Sequence, residues 1–328
     1  MRIEQPTMVG ILLIGLACPT TARANVDPSF SVSASHLFGS TRYRISFPYV
    51  QKGKQDVGRS ELEYPLGVFL GGVQISLGEN PARRSRLSLI GALRRNIDNP
   101  GGAMSDSDWI NSRLVSYTES RAGLTAWQAT LRCRFRVMRR SRTALAAEVG
   151  YRYSRFSYKL YGLEGWYDRD WFGEGLGREI VVLDAGLHVL DYRVSYQLPT
   201  LGLVVEFHPA HWLETELGVH VSPHASATDF DDHLLRNKNA RATATGSAFV
   251  VSANLQANLP SANVRREFFF ELRIEWTRIE TDGDQTQDWY GDDPASSGVD
   301  DTGARVSGID DEISADIGRI AARVGWRL

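Results

Sequence analysis

Two short acidic segments hold the residue types that hydrolytic chemistry needs. The first is Gly101-Gly102-Ala103-Met104-Ser105-Asp106-Ser107-Asp108-Trp109, and the second is Asp229-Phe230-Asp231-Asp232-His233. A histidine beside a carboxylate is held in one tautomer and made more basic, which suits it to take a proton from water. The Asp106 and Asp108 pair can orient that water or donate to a leaving group. The sequence has no Gly-x-Ser-x-Gly elbow and no His-Glu-x-x-His metal motif, so water is the nucleophile this set implies. Taken singly, each segment reads as solvated acidic loop. They become informative only if the fold brings them together.

The elements that must do this are strands. From Phe268 to Trp276 the even positions are Phe268, Phe270, Leu272, Ile274 and Trp276, with Phe269, Glu271, Arg273 and Glu275 between them. A two-residue period puts one set on each face of a strand. Trp127, Ala129, Leu131, Cys133, Phe135 and Val137 repeat it, alternating with Gln128, Thr130, Arg132, Arg134 and Arg136. Three arginines on one face are costly in an ordinary core, but they suit a barrel lumen where glutamates of neighbouring strands can pair with them. About ten such runs are expected, near 30–47, 59–77, 83–95, 114–138, 143–160, 179–208, 212–226, 240–259, 264–279 and 312–328. Short turns at 78–81, 139–142 and 260–263 alternate with long polar stretches near 96–112, 161–178, 227–240 and 279–309. That asymmetry is the habit of barrels in bacterial outer membranes. The fold class expected is therefore all-β: a ten-stranded antiparallel transmembrane β-barrel with long extracellular loops. Several runs exceed the roughly 9–11 residues that a tilted strand needs to cross a bilayer, so a tall rim should stand above it.

Residues 1–24 read as a secretory signal. Arg2 opens it, Met8 to Ala17 form its apolar centre, and Ala22-Arg23-Ala24 offers small residues for cleavage, leaving 25–328 as the barrel. Cys133 is then the only cysteine, which excludes an internal disulfide and suits a small residue facing lipid. The net charge of -2 gives no argument for nucleic acid. Asp282-Gly283-Asp284 and Asp292-Asp293 lack the spacing of a calcium loop, and His208, His211, His220 and His224 do not make a ligand set, so no metal is expected.

At this point the sequence resembles the omptins, a family of ten-stranded outer-membrane endopeptidases. The resemblance rests on Gly101 to Trp109, on Asp229-x-Asp231-x-His233, on Ser60-x-Leu62-x-Tyr64, and on Tyr151-x-Tyr153-Ser154-Arg155-x-Ser157. It implies an aspartyl-type (Asp/His) endopeptidase in which Asp231 and His233 activate water opposite Asp106 and Asp108, without an acyl-enzyme. It further implies that Met104 lines the substrate cleft or packs at the rim, and that Asp229 belongs to an acidic pocket for a basic side chain. Tyr43 stands where the family's second pocket carboxylate is expected, between Arg42 and Arg44, which implies altered specificity. Glu61 and Glu63 are expected to face inward. Family members need lipopolysaccharide, and Tyr151, Tyr153 and Arg155 share the outward parity of Leu145, Ala147 and Val149, in the headgroup zone. The family's glutamate there is replaced by Tyr153, and its arginine on the next strand by Ser195, with Arg193 one outward position away. No cofactor is implied beyond that lipid. The expected partners are peptides or proteins at the cell surface of a Gram-negative bacterium, and the chain is expected to act as a monomer. Two other readings compete: an inactive barrel serving as adhesin or structural protein, and a porin.

Overall fold

The computed structural model describes residues 28–51, 54–78, 86–99, 101–169, 177–259, 267–294 and 300–327. The signal expected over 1–24 lies outside them, as do most of the turn at 78–81 and all of that at 260–263.

Twelve strands follow in chain order: β1 (Pro28–Gln51), β2 (Lys54–Pro65), β3 (Val68–Leu77), β4 (Leu87–Asn96), β5 (Gly101–Ile110), β6 (Arg113–Arg140), β7 (Thr143–Asp168), β8 (Arg178–Ala210), β9 (Leu213–His233), β10 (Lys238–Leu259), β11 (Glu267–Trp289) and β12 (Arg305–Arg327). Every pairing is antiparallel, and β12 closes on β1 from Ser29↔Arg327 to Ser46↔Asp310. β1 pairs with β3 in its lower half and with β2 above, while β6 pairs with β4 below and β5 above. So β2 with β3, and β4 with β5, are each one stave interrupted between the lipid zone and the rim. The ring therefore has ten staves, as the alternation predicts.

The two faces separate by residue type. Leu131, Phe135, Val149, Leu203, Leu217, Val251, Leu272 and Ile320 are exposed on the outside, as befits residues that meet lipid. Between them the inward side chains form ion pairs. Arg134 meets Glu148 at 3.0 Å, Glu206 at 3.2 Å and Glu216 at 2.6 Å, and Arg136 meets Glu206 at 2.8 Å. Higher in the lumen, Glu275 is contacted by Arg152 at 2.9 Å and Arg319 at 3.1 Å. Buried charges persist only when paired in this way.

Much of what reads as loop from composition is strand. Residues 101–110 form β5, β7 runs on to Asp168, β9 to His233, and β11 to Trp289. Above the lipid zone both faces carry polar residues, so the hydropathy period fades while the backbone ladder continues. β8 alone has 33 residues, far more than a bilayer requires. The long extracellular segments are thus hairpins whose paired stems make a rigid wall, and that wall holds the acidic segments.

Candidate active site

The spacing of the acidic residues is a strand period. On β5, Asp106 and Asp108 sit two residues apart and share the inner face. On β9, Asp229, Asp231 and His233 do the same. β2 lies beside β5 with Leu62↔Asp106 and Ser60↔Asp108, and β10 lies beside β9 with Ala240↔Asp231 and Lys238↔His233. The neighbours of Asp229 and Asp231 on β10 are the alanines Ala242 and Ala240, whose short side chains leave the carboxylates room.

Asp231 is wholly buried, and its Oδ2 lies 2.9 Å from His233 Nε2. The same oxygen accepts a hydrogen bond from the Tyr43 hydroxyl at 2.7 Å. Across the lumen, Asp108 Oδ2 accepts from Ser116 Oγ at 2.6 Å, and Ser60 Oγ donates to Asp106 Oδ1 at 3.4 Å. Asp106, Asp108, His233 and Tyr43 all line one cleft of about 770 Å³ at the mouth of the barrel. Burial, Asp108 and Asp231 together push the Asp106 carboxyl well above the ordinary carboxylate range. That shift favours the protonated form of Asp106, the form that can donate.

The remaining candidates fall in different places. Met104 is buried among Leu62, Tyr64 and Leu124 in the rim core and does not line the cleft. Asp229 is also outside the cleft lining: its Oδ1 takes the Ala242 N–H at 2.9 Å, and burial and Asp231 raise it to about 7. Glu61 and Glu63 face outward, not inward. Tyr43 is opposite Leu62 on the inner face, which sends Arg42, Arg44, Glu61 and Glu63 to the outer one. There Arg42 pairs with Glu63 at 3.1 Å, and Arg44 with Glu61 and Glu312, each at 2.8 Å. The positive charge expected beside Tyr43 is thereby directed away from the cleft.

Several residues at the site are not evident from motif reading. Ser60 and Ser116 hold the two carboxylates. Lys238 and Arg236 also line the cleft. Arg236 is tied to Asp293 at 2.9 Å, whereas the buried Lys238 ammonium is held by the neutral Gln287 Oε1 at 3.2 Å. Burial and Arg236 lower Lys238 to about 8. Its one signal in the sequence is its place at the start of β10, on the parity of Ala240 and Ala242.

On the outer wall, Tyr151 donates to Gln197 at 2.7 Å and Tyr153 to Ser195 at 3.2 Å, with the Tyr153 ring 4.6 Å from that of Trp127. Arg155 and Arg241 lie close enough to Arg193 to act on its charge, and Arg193 and Arg241 flank the Phe230 ring at 5.3 and 5.5 Å. Three guanidiniums from β7, β8 and β10 thus gather above the apolar band.

The family model described as "Omptin family" matches residues 73–310. The crystal structure of the outer membrane protease OmpT from Escherichia coli superposes with a TM-score of 0.67 at 16% identity, covering 93% of this chain and 98% of that one. The translocator domain of the autotransporter NalP from Neisseria meningitidis gives a TM-score of 0.35 at 12% identity, covering 90% and 88%. No curated protein sequence matches this one.

Proposed function

This chain belongs to the omptin family of Gram-negative outer-membrane proteins, and we propose that its rim hydrolyses peptide bonds with a water held between the Asp231–His233 couple and the Asp106–Asp108 pair. The observation that carries this reading is the 2.9 Å contact of Asp231 with His233 in a cleft that Asp106 and Asp108 also line.

The chemistry follows from the groups. Because Nε2 of His233 is engaged by Asp231, Nδ1 is left to take a proton from water, and the Asp231 carboxylate stabilises the imidazolium that forms. The hydroxide attacks the peptide carbonyl, and the C–N bond breaks as the amine takes a proton from Asp106 or from His233. No acyl-enzyme forms, which makes this an aspartyl-type (Asp/His) endopeptidase. It needs no metal or organic cofactor.

Lipopolysaccharide is the proposed partner of the outer wall. Arg155, with Arg193 and Arg241 near it, offers the fork geometry that binds phosphate, and Tyr151 and Tyr153 supply amphipathic rings at headgroup level. Binding there would order β7–β9, which hold half of the reactive set. The barrel is proposed to work as a monomer on peptides or proteins at the cell surface.

The test is to refold residues 25–328 with lipopolysaccharide and expose the barrel to a mixed peptide library, beside Asp231→Ala and His233→Ala variants. Cleavage lost in both variants is expected. A correctly folded barrel that cuts nothing would transfer the assignment to an adhesin or structural protein.

A further inference from the structure

The Tyr43 hydroxyl is already committed. It donates to Asp231 Oδ2 at 2.7 Å, and the residue is only 3% exposed. Its ring stacks on Tyr192 at 5.6 Å, Tyr192 lies 4.0 Å from Tyr64, and Tyr64 lies 5.0 Å from Tyr158. This column of rings fills the lumen directly beneath the Asp231–His233 couple. What Tyr43 turns to the cleft is therefore aromatic carbon.

The rest of the floor continues that character. Ile45, Phe47, Leu62, Ile110 and Val115 line the same cleft. Its carboxylates are Asp106 and Asp108, which the hydrolytic step requires, and Asp310 at the outer lip. Asp229 and Asp311 are not lining residues; both are nearly buried, and Asp229 Oδ1 is bound by the Ala242 N–H, whereas Asp229 Oδ2 and both Asp311 oxygens have no hydrogen-bond partner. Two cations border the cleft, Arg236 and Lys238. An ammonium or guanidinium entering beside the reactive couple would meet a ring, the Lys238 ammonium and Arg236, which is tied to Asp293, while the partnerless oxygens of Asp229, Asp231 and Asp311 are buried outside that lining. An apolar side chain would meet carbon and leave water behind.

We propose that the cleft seats an uncharged, apolar or aromatic side chain next to the cut bond, and that Tyr43 is the residue that sets this preference. The assignment rests on the peptidase reading above, but it concerns binding and is measured separately. Tyr43 acts in two ways: its ring closes the space below, and its hydroxyl keeps Asp231 directed at His233.

The experiment uses the full barrel refolded with lipopolysaccharide, carrying His233→Ala so that nothing is cut. Fluorescence anisotropy then compares labelled peptides of the form Ala-Ala-X-Ala-Ala with X as Leu, Phe, Lys or Arg. Leu and Phe peptides are expected to bind at least tenfold more tightly than Lys and Arg peptides. Adding Tyr43→Phe should preserve that ratio, and adding Tyr43→Glu should reduce or reverse it. Equal or tighter binding of the basic peptides overturns the proposal, as does an absence of binding by either class. A ratio unchanged in Tyr43→Glu overturns the role of Tyr43. Wild-type barrel that shows the binding preference without cleavage supports the cleft assignment while overturning the peptidase reading.

Discussion

At the scale of single residues, the site depends on how one carboxylate is held. Asp231 Oδ2 serves both His233 and Tyr43. A hydrogen bond to a charged acceptor is worth about 1.5–3 kcal/mol, so Tyr43→Phe should lower kcat roughly tenfold or more while the barrel still folds. Peptide hydrolysis beside a heat-modifiability gel separates the two effects, and an unchanged kcat would remove Tyr43 from the relay. Asp311 allows a pH prediction. Burial, Asp229 and Asp231 raise it from 3.8 to about 8. A group raised in the folded state contributes its full stability below its unfolded value and loses it as pH rises through the folded one. The rim should therefore weaken between about pH 4 and pH 8, with Asp229, raised to about 7, adding to the trend. Asp311→Asn should flatten this dependence and protect the rim at pH 9. Hydrogen exchange of β11 and β12 amides at pH 5 and pH 9 reads it directly.

At the scale of elements, the site rests on the seam between β1 and β12. Gly39 has φ +108°, and a Cβ there would stand 2.0 Å from the Asp316 carbonyl oxygen. Its own carbonyl takes the Leu66 N–H at 3.0 Å, where the stave made of β2 and β3 is interrupted. Only glycine accommodates that backbone and that approach. Gly39→Ala should open the seam and destabilise the barrel by about 3 kcal/mol or more. Because Tyr43 lies further along the same strand, activity should fall with it. A urea titration of the refolded barrel followed by tryptophan fluorescence tests the first expectation. Stability equal to that of the parent chain would show that the seam adapts.

At the scale of the whole molecule, the lumen is filled by charge. Arg134 alone touches Glu148, Glu206 and Glu216. Removing one member of a buried ionic set leaves the others uncompensated and costs about 3–5 kcal/mol, so Arg134→Met should be strongly destabilising. The same filling bears on the porin alternative. A ten-stave barrel with interlocked arginine and glutamate side chains leaves little open path, and conductance in planar bilayers should be near zero. A steady ohmic conductance from the parent chain would contradict that expectation. Both measurements use one protein: a plug that holds the barrel together should also be what blocks it.

Alternation and spacing are enough to define the ring and to put each candidate acidic set on one face of its strand. Strict alternation exposes which face meets lipid, because lipid accepts only apolar side chains and so imposes the period residue by residue. The Asp-x-Asp and Asp-x-Asp-x-His spacings are legible for the same reason: a two-residue step keeps each set on one face. The remainder emerges only on folding. Whether residues 101–110 form loop or strand depends on ladder hydrogen bonds between backbones, which hydropathy does not record once both faces are polar, and they form β5. The inward turn of Tyr43 and the outward turn of Glu61 and Glu63 follow from the register Tyr43↔Leu62, a single pairing that reverses every side chain if shifted by one. The placing of Lys238 in the cleft, and of Asp229 behind it, likewise depends on contacts between residues far apart in the chain. Those contacts exist only after the ring has closed.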